Sequence, residues 1–144
     1  MFASARPARP GLRAPVIWGL VVGVAQAATP LAIWWLDAST VYALGLAAIA
    51  AIYIGFAVAD GRHTVLAVET GVASMFVIVA AAAVTGTPWL LVVGYVGHGV
   101  KDLWQHRSQF VANTRWWPPF CFAVDWLLAA IIVVEIVVGT HFHH

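Results

Sequence analysis

Apolar residues run through this chain in blocks of roughly one helix span each, and the polar residues collect between the blocks. A bilayer-spanning helix needs about 20 mostly apolar residues. Five segments reach or nearly reach that length: 14–36, 41–59, 64–84, 88–107 and 118–139. None alternates with the two-residue period of a strand, and the runs are too long for buried strands. Thr85-Gly86-Thr87-Pro88 separates the third block from the fourth with strong turn chemistry. Proline suits a first helical position, so Pro88 and the Pro118-Pro119 pair mark helix starts. The pattern predicts an all-α integral membrane protein: one five-transmembrane-helix bundle over 14–139, behind a basic tail at 1–13 and ahead of a His-rich tail at 140–144.

Charge adds an orientation. Arg6, Arg9 and Arg13 precede the first span, Arg62 lies in the second connection, and Lys101, Arg107 and Arg115 surround the fourth. With five spans all of these fall on the side of the N-terminus, and the opposite connections carry only Asp37. The positive-inside rule then predicts a cytoplasmic N-terminus, an extracytoplasmic C-terminus and a multi-pass protein of the cell membrane. Trp34, Trp35, Trp89, Trp116 and Trp117 stand near helix ends, where interfacial aromatic belts lie. A cleaved leader ending at Ala25-Gln26-Ala27 is the rival reading. The apolar run continues past it through Leu36, which suits a retained span.

Composition narrows the class. The chain is 62% hydrophobic and 9% charged, with a mean hydropathy of +0.90, which excludes an ordinary soluble globule. A net charge of +1 without a basic stripe argues against a nucleic-acid partner. The lone Cys121 allows no intrachain disulfide and reads as a small core residue.

The candidate chemistry comes from the few ionisable groups inside or beside the apolar blocks. Asp60, His63, Glu69, His98, Asp102, His106 and Asp125 all map to the same half of the threaded bundle. Ionisable residues at membrane depth are costly and mark functional sites by default. His98, Asp102 and His106 are spaced i, i+4, i+8, a shallow spiral on one helix face. Two such groups four apart can grip one metal ion. His98 and His106 are about 12 Å apart along the axis, too far to share one ion easily. A dinuclear centre, or one ion with an acid/base pair, fits better. Glu69 and Asp125 lie nearly two turns inside their helices, and Glu69 has no Lys or Arg four residues away to pair with. Each must find a partner on another helix, a proton or a metal. Gly97 and Gly99 flank His98 and leave room for close approach. The opposite half offers only Asp37, Thr85, Thr87 and Glu135, so no polar pathway crosses from side to side.

These features predict a metal-dependent enzyme with one or two zinc or iron ions, acting as a hydrolase or oxidoreductase on a lipid or other apolar small molecule. The expected metal ligands are His98, Asp102, His106, Glu69, Asp125, His63 and Asp60, with Glu69, Asp102 and Asp125 as catalytic acids. The alternative is a metal-free acid/base isomerase or cyclase, with desolvated acids as proton donors and Trp104, Trp116, Trp117 and Trp126 facing a cation. The His98/Asp102 pair, four apart on one helix of a five-helix frame, resembles the five-helix sterol isomerases over that one short motif, which implies isoprenoid or sterol-like substrates. Further alternatives are a dimeric transporter and a b-type haem between His63 and His98. Membrane lipids are expected partners, and a homo-oligomer is open to the chain.

Overall fold

The computed structural model describes residues 11–142, so Arg6 and Arg9 of the basic tail and His143 and His144 of the C-terminal tail lie outside the described residues. Six helices follow in order: α1 (Arg13–Ala27), α2 (Thr29–Ala32), α3 (Ala38–Asp60), α4 (His63–Thr85), α5 (Trp89–Ser108) and α6 (Trp117–Val138). No strand occurs among the described residues. Four segments are long and apolar enough to cross a membrane: Arg13–Ala32, Ala38–Asp60, His63–Thr85 and Trp117–Val138. The long helix outside that set, α5, spans 20 residues and carries His98, Lys101, Asp102, His106 and Arg107. Five long helices therefore stand where five were expected, and the most polar one carries the candidate site.

The boundaries differ at the first span. Helix continues to Ala32 instead of Leu36 and is broken at Ala28, between Ala27 and the one-turn α2 that Pro30 opens. Asp37 then caps α3: its Oδ1 accepts from the Thr40 backbone N–H at 2.9 Å and its Oδ2 from the Thr40 hydroxyl at 2.6 Å. This cap starts α3 at Ala38, three residues before the apolar block suggests. Gly61 ends α3 with φ +83°, a left-handed conformation that costs glycine little.

α3 packs along α4, α5 along α6, and α1 along the other side of α6. The α1–α6 contact depends on Gly19-Leu20-Val21-Val22-Gly23. A Cβ at Gly19 would overlap the Phe120 carbonyl, and one at Gly23 would meet Leu127 at 3.0 Å. Small residues four apart let helix backbones approach closely, which matters in lipid because no hydrophobic drive separates helix–helix from helix–lipid contact. The surface is accordingly apolar: Met75, Ile78, Val134 and Val137 are all exposed. The charged and polar side chains Glu69, His98, Asp102, Gln105 and Asp125 are buried. Trp34, Trp35, Trp89 and Trp116 are exposed near helix ends.

Two clamps hold the end of the bundle that carries Asp60 and Arg115. Asp60 accepts from Arg62 Nε at 2.7 Å and from the Ala112 backbone N–H at 2.8 Å, while Arg62 reaches the Phe110 carbonyl at 2.8 Å. Gln105 donates to the Val111 carbonyl at 3.0 Å and to Thr114 Oγ1 at 2.8 Å. The long 109–116 connection is thereby tied to both α3 and α5.

Candidate metal centre

Two helices supply the centre in matching steps. On α5, His98 and Asp102 are four residues apart, and on the facing α6, Cys121 and Asp125 are four apart. Each pair lies on one helix face. Packing α5 on α6 brings the four side chains together. A Cβ at Gly99 would overlap the Trp126 indole, so this glycine permits the close α5–α6 approach. Gly97 does not share that role, since a Cβ there would meet only Phe76, at an ordinary 3.6 Å.

His98 Nδ1 is the hub. It lies 2.7 Å from Asp125 Oδ2, 3.6 Å from Asp102 Oδ2 and 4.0 Å from Cys121 Sγ. The Cys121 sulfur is 3.7 Å from Asp125 Oδ2. One donor atom from each of the four residues falls within 4.8 Å of the others, and all four residues are buried. Such a cluster could hold a metal ion. Asp102 Oδ2 and Asp125 Oδ1 are buried and have no hydrogen-bond partner. Phe76 stands edge-on to the imidazole at a 4.9 Å centroid distance, and Tyr53 at 5.7 Å, so the site is walled by rings.

A second layer extends from Asp102. Tyr53 Oη on α3 donates to Asp102 Oδ1 at 2.6 Å, which orients the carboxylate. Lys101 Nζ lies 3.2 Å from the centroid of the Tyr53 ring and 2.7 Å from Glu69 Oε2 on α4. Both partners are largely buried, so the pair balances charge away from water. Four helices thus contribute to one polar assembly: Glu69, Lys101, Tyr53, Asp102, His98, Asp125 and Cys121.

The expected ligands therefore divide. His98, Asp102 and Asp125 converge directly. Glu69 joins through Lys101 instead of contacting the cluster. Asp60 is used by Arg62 and Ala112, because its position at the end of α3 faces the connections. His63 is exposed at the start of α4 and takes no part. His106 lies one turn beyond Asp102, half-buried, with its Nδ1 buried and without a hydrogen-bond partner. The arrangement is one compact four-donor group, not the two-ion spiral that the i, i+4, i+8 spacing suggested.

Three contributors escape the sequence reading. Cys121 reads as core, yet its position four before Asp125 repeats the His98/Asp102 spacing, and that match is the available signal. Tyr53 has no local signal, since its partner is 49 residues away. Lys101 counts as a flanking charge by position, whereas its side chain is turned inward to Glu69. Trp104, Trp116 and Trp126 face outward, and the aromatic walls of the site are Phe76 and Tyr53 instead.

The opposite half is less bare than its charges imply. Tyr42 Oη shares its proton between the Ala27 carbonyl at 3.0 Å and Glu135 Oε1 at 3.1 Å. Tyr95 Oη donates to the Tyr42 carbonyl at 2.7 Å and accepts from Gln26 at 3.4 Å. Between Asp125 and Glu135 the buried positions of α6 are Leu128, Ala129 and Ile132.

No protein-family model, curated protein or solved structure matches the chain.

Proposed function

We propose that this protein is a small multi-pass membrane enzyme built on a single metal ion held by His98, Asp102, Asp125 and Cys121. The observation that carries the reading is the convergence of one nitrogen, two carboxylate oxygens and one sulfur in a buried cluster. Zinc bonds of about 2.0–2.3 Å imply donor–donor separations of roughly 3.4 Å in a tetrahedron. The separations of 2.7, 3.6, 3.7 and 4.0 Å bracket that value. The partnerless oxygens of Asp102 and Asp125 are also what a cation would satisfy. A thiolate in the set favours zinc, with iron as the second choice.

An enzyme is favoured over a structural site because a cavity of about 190 Å³ reaches Asp102. Its lining is otherwise almost wholly apolar, which suits a lipid-like substrate arriving from the membrane. A metal supplies Lewis acidity to a substrate oxygen or an activated water. Tyr53 would hold Asp102 in place against the cation, and the Lys101–Glu69 pair would balance charge behind them. On the positive-inside argument the site opens in the cytoplasmic half. The metal-free isomerase reading draws on one observation, the 2.7 Å His98–Asp125 hydrogen bond, a ready proton-transfer pair.

Elemental analysis of untagged protein, extracted gently and purified without immobilised metal, tests the choice. About one zinc or iron per chain is expected, and none in His98→Ala. A wild-type protein that holds no metal and takes up none from added zinc would overturn the metal reading in favour of the acid/base one.

A further inference from the structure

The centre is closed to water: His98, Asp102, Cys121 and Asp125 are each 1% exposed or less. An ion that occupies it needs a ligand on the way in. The cavity beside Asp102 supplies none, because its lining is almost wholly apolar and a divalent ion sheds its water there at high cost. Toward Glu135 the next buried side chains of α6 are Leu128, Ala129 and Ile132, which carry no donor.

At the end of the bundle that carries Asp60, most polar groups are in use. Gln105 donates to Val111 and Thr114 and accepts from the Val111 N–H at 3.3 Å. Asp60 is held by Arg62 and Ala112. Glu69 faces the Lys101 ammonium, which repels a second cation. His106 differs from all of these. The residue is half-buried, and its Nδ1 is enclosed without a hydrogen-bond partner. We propose that His106 is the entry ligand of the metal centre: it takes a divalent cation from water at the end of α5 and passes it to Asp102. The proposal rests on the metal reading above and adds the route by which the ion is loaded and lost.

The spacing of α5 makes the transfer possible. His98, Asp102 and His106 follow one another in two steps of four residues, about 6 Å each along the axis. One ion cannot touch both imidazoles, but a carboxylate and an imidazole four apart can grip it together. Asp102 is the shared member of both pairs. Tyr53 fixes its Oδ1 at 2.6 Å. Its Oδ2 is buried without a hydrogen-bond partner and lies 3.6 Å from His98 Nδ1. The ion meets Oδ2 first beside His106 and then beside His98, one turn deeper. It keeps a carboxylate oxygen throughout, so it is never left bare among apolar side chains. The i, i+4, i+8 spiral thus serves one ion in two successive positions.

Cobalt(II) uptake by chelator-stripped full chain in nanodiscs tests this. The thiolate-to-cobalt band reports arrival at Cys121, and about one cobalt per chain is expected at the end. His106→Gln should slow both uptake and chelator-driven release by about 10–100-fold, the range that a lost partner of a metal-bound group costs. Its final spectrum, affinity and thermal transition should match the wild type. His106→Glu has the same size but restores a ligand, so it should load faster than His106→Gln by most of that factor. A wild-type loading rate in His106→Gln, or equal rates in the two variants, overturns the proposal. So does a weakened affinity with an altered final spectrum, which would make His106 a permanent ligand. Should the longer pair fail to fold, His106→Asn and His106→Asp repeat the comparison. A wild-type protein that takes up neither cobalt nor zinc removes the metal reading and the entry role with it. One that loads at a rate indifferent to residue 106 keeps the metal reading and loses only the entry role.

Discussion

His98 Nδ1 on α5 and Asp125 Oδ2 on α6 are 2.7 Å apart in a pocket from which both side chains exclude solvent. The contact joins the two helices at the level where each carries its ionisable pair. At that separation a proton lies between the carboxyl and the imidazole, and a metal ion held by both would part them to about 3.4 Å. Asp125→Asn keeps the volume and removes the charge. Its metal affinity should fall by a factor of 10–100 or more, the range known for groups that orient or complete a metal shell. Competition against a chromophoric chelator measures this, and an unchanged affinity would exclude Asp125 as a ligand.

Cys121 distinguishes the four-donor centre from a three-donor one. Cobalt(II) substituted into the wild-type site should show an intense near-ultraviolet thiolate-to-metal band together with tetrahedral visible bands. In Cys121→Ser the ultraviolet band should vanish while visible bands remain, because hydroxyl replaces sulfur without opening the site. A wild-type spectrum without the thiolate band would leave Cys121 as a packing residue.

Lys101 and Glu69 form their ion pair at 2.7 Å with little solvent. Glu69→Gln should destabilise by about 3–5 kcal/mol, because Lys101 is left as an uncompensated buried charge. The double variant Glu69→Gln with Lys101→Met should recover most of that loss. Thermal unfolding in one detergent reads both numbers, and additive effects of the two substitutions would contradict a coupled pair.

Two glycines provide a packing contrast. Gly19→Ala places a methyl against the Phe120 carbonyl and Ala123, so it should cost about 1–3 kcal/mol as an overpacked interface. Gly71 has nothing within 4 Å of the added carbon, so Gly71→Ala should be neutral or stabilise by about 0.5–1 kcal/mol. Equal effects at the two positions would deny the close α1–α6 contact its role.

Orientation is testable by fusion. A phosphatase reporter active only outside the cytoplasm should be active after Val138 and inactive after Arg62, as the Lys/Arg asymmetry predicts. The reverse pattern would place the metal centre in the extracytoplasmic half.

Helices and their approximate ends were legible because length and apolarity are local. A block such as 41–59 can satisfy its backbone in lipid from within itself only by forming a helix. The half of the bundle that holds the chemistry was legible for the same reason, since threading alone sorts Glu69, His98, Asp102 and Asp125 to one side. Pairing was not legible. Which acid meets His98 depends on the rotation of α6 against α5, and Gly99 and Trp126 settle that by contact. Glu69 looked partnerless because its partner, Lys101, is on another helix and looked like a boundary charge. Cys121 and Tyr53 carry little charge signal, so only the packing of α3, α5 and α6 brings one beside His98 and Asp125 and sets the other as a clamp on Asp102. Sequence by itself determined a membrane-type helical bundle with ionisable groups gathered at one level, through the high cost of placing charge in lipid. Tertiary structure decided which of those groups gather into one buried cluster that could hold a metal ion, because distances of a few ångströms depend on how the faces of separate helices meet.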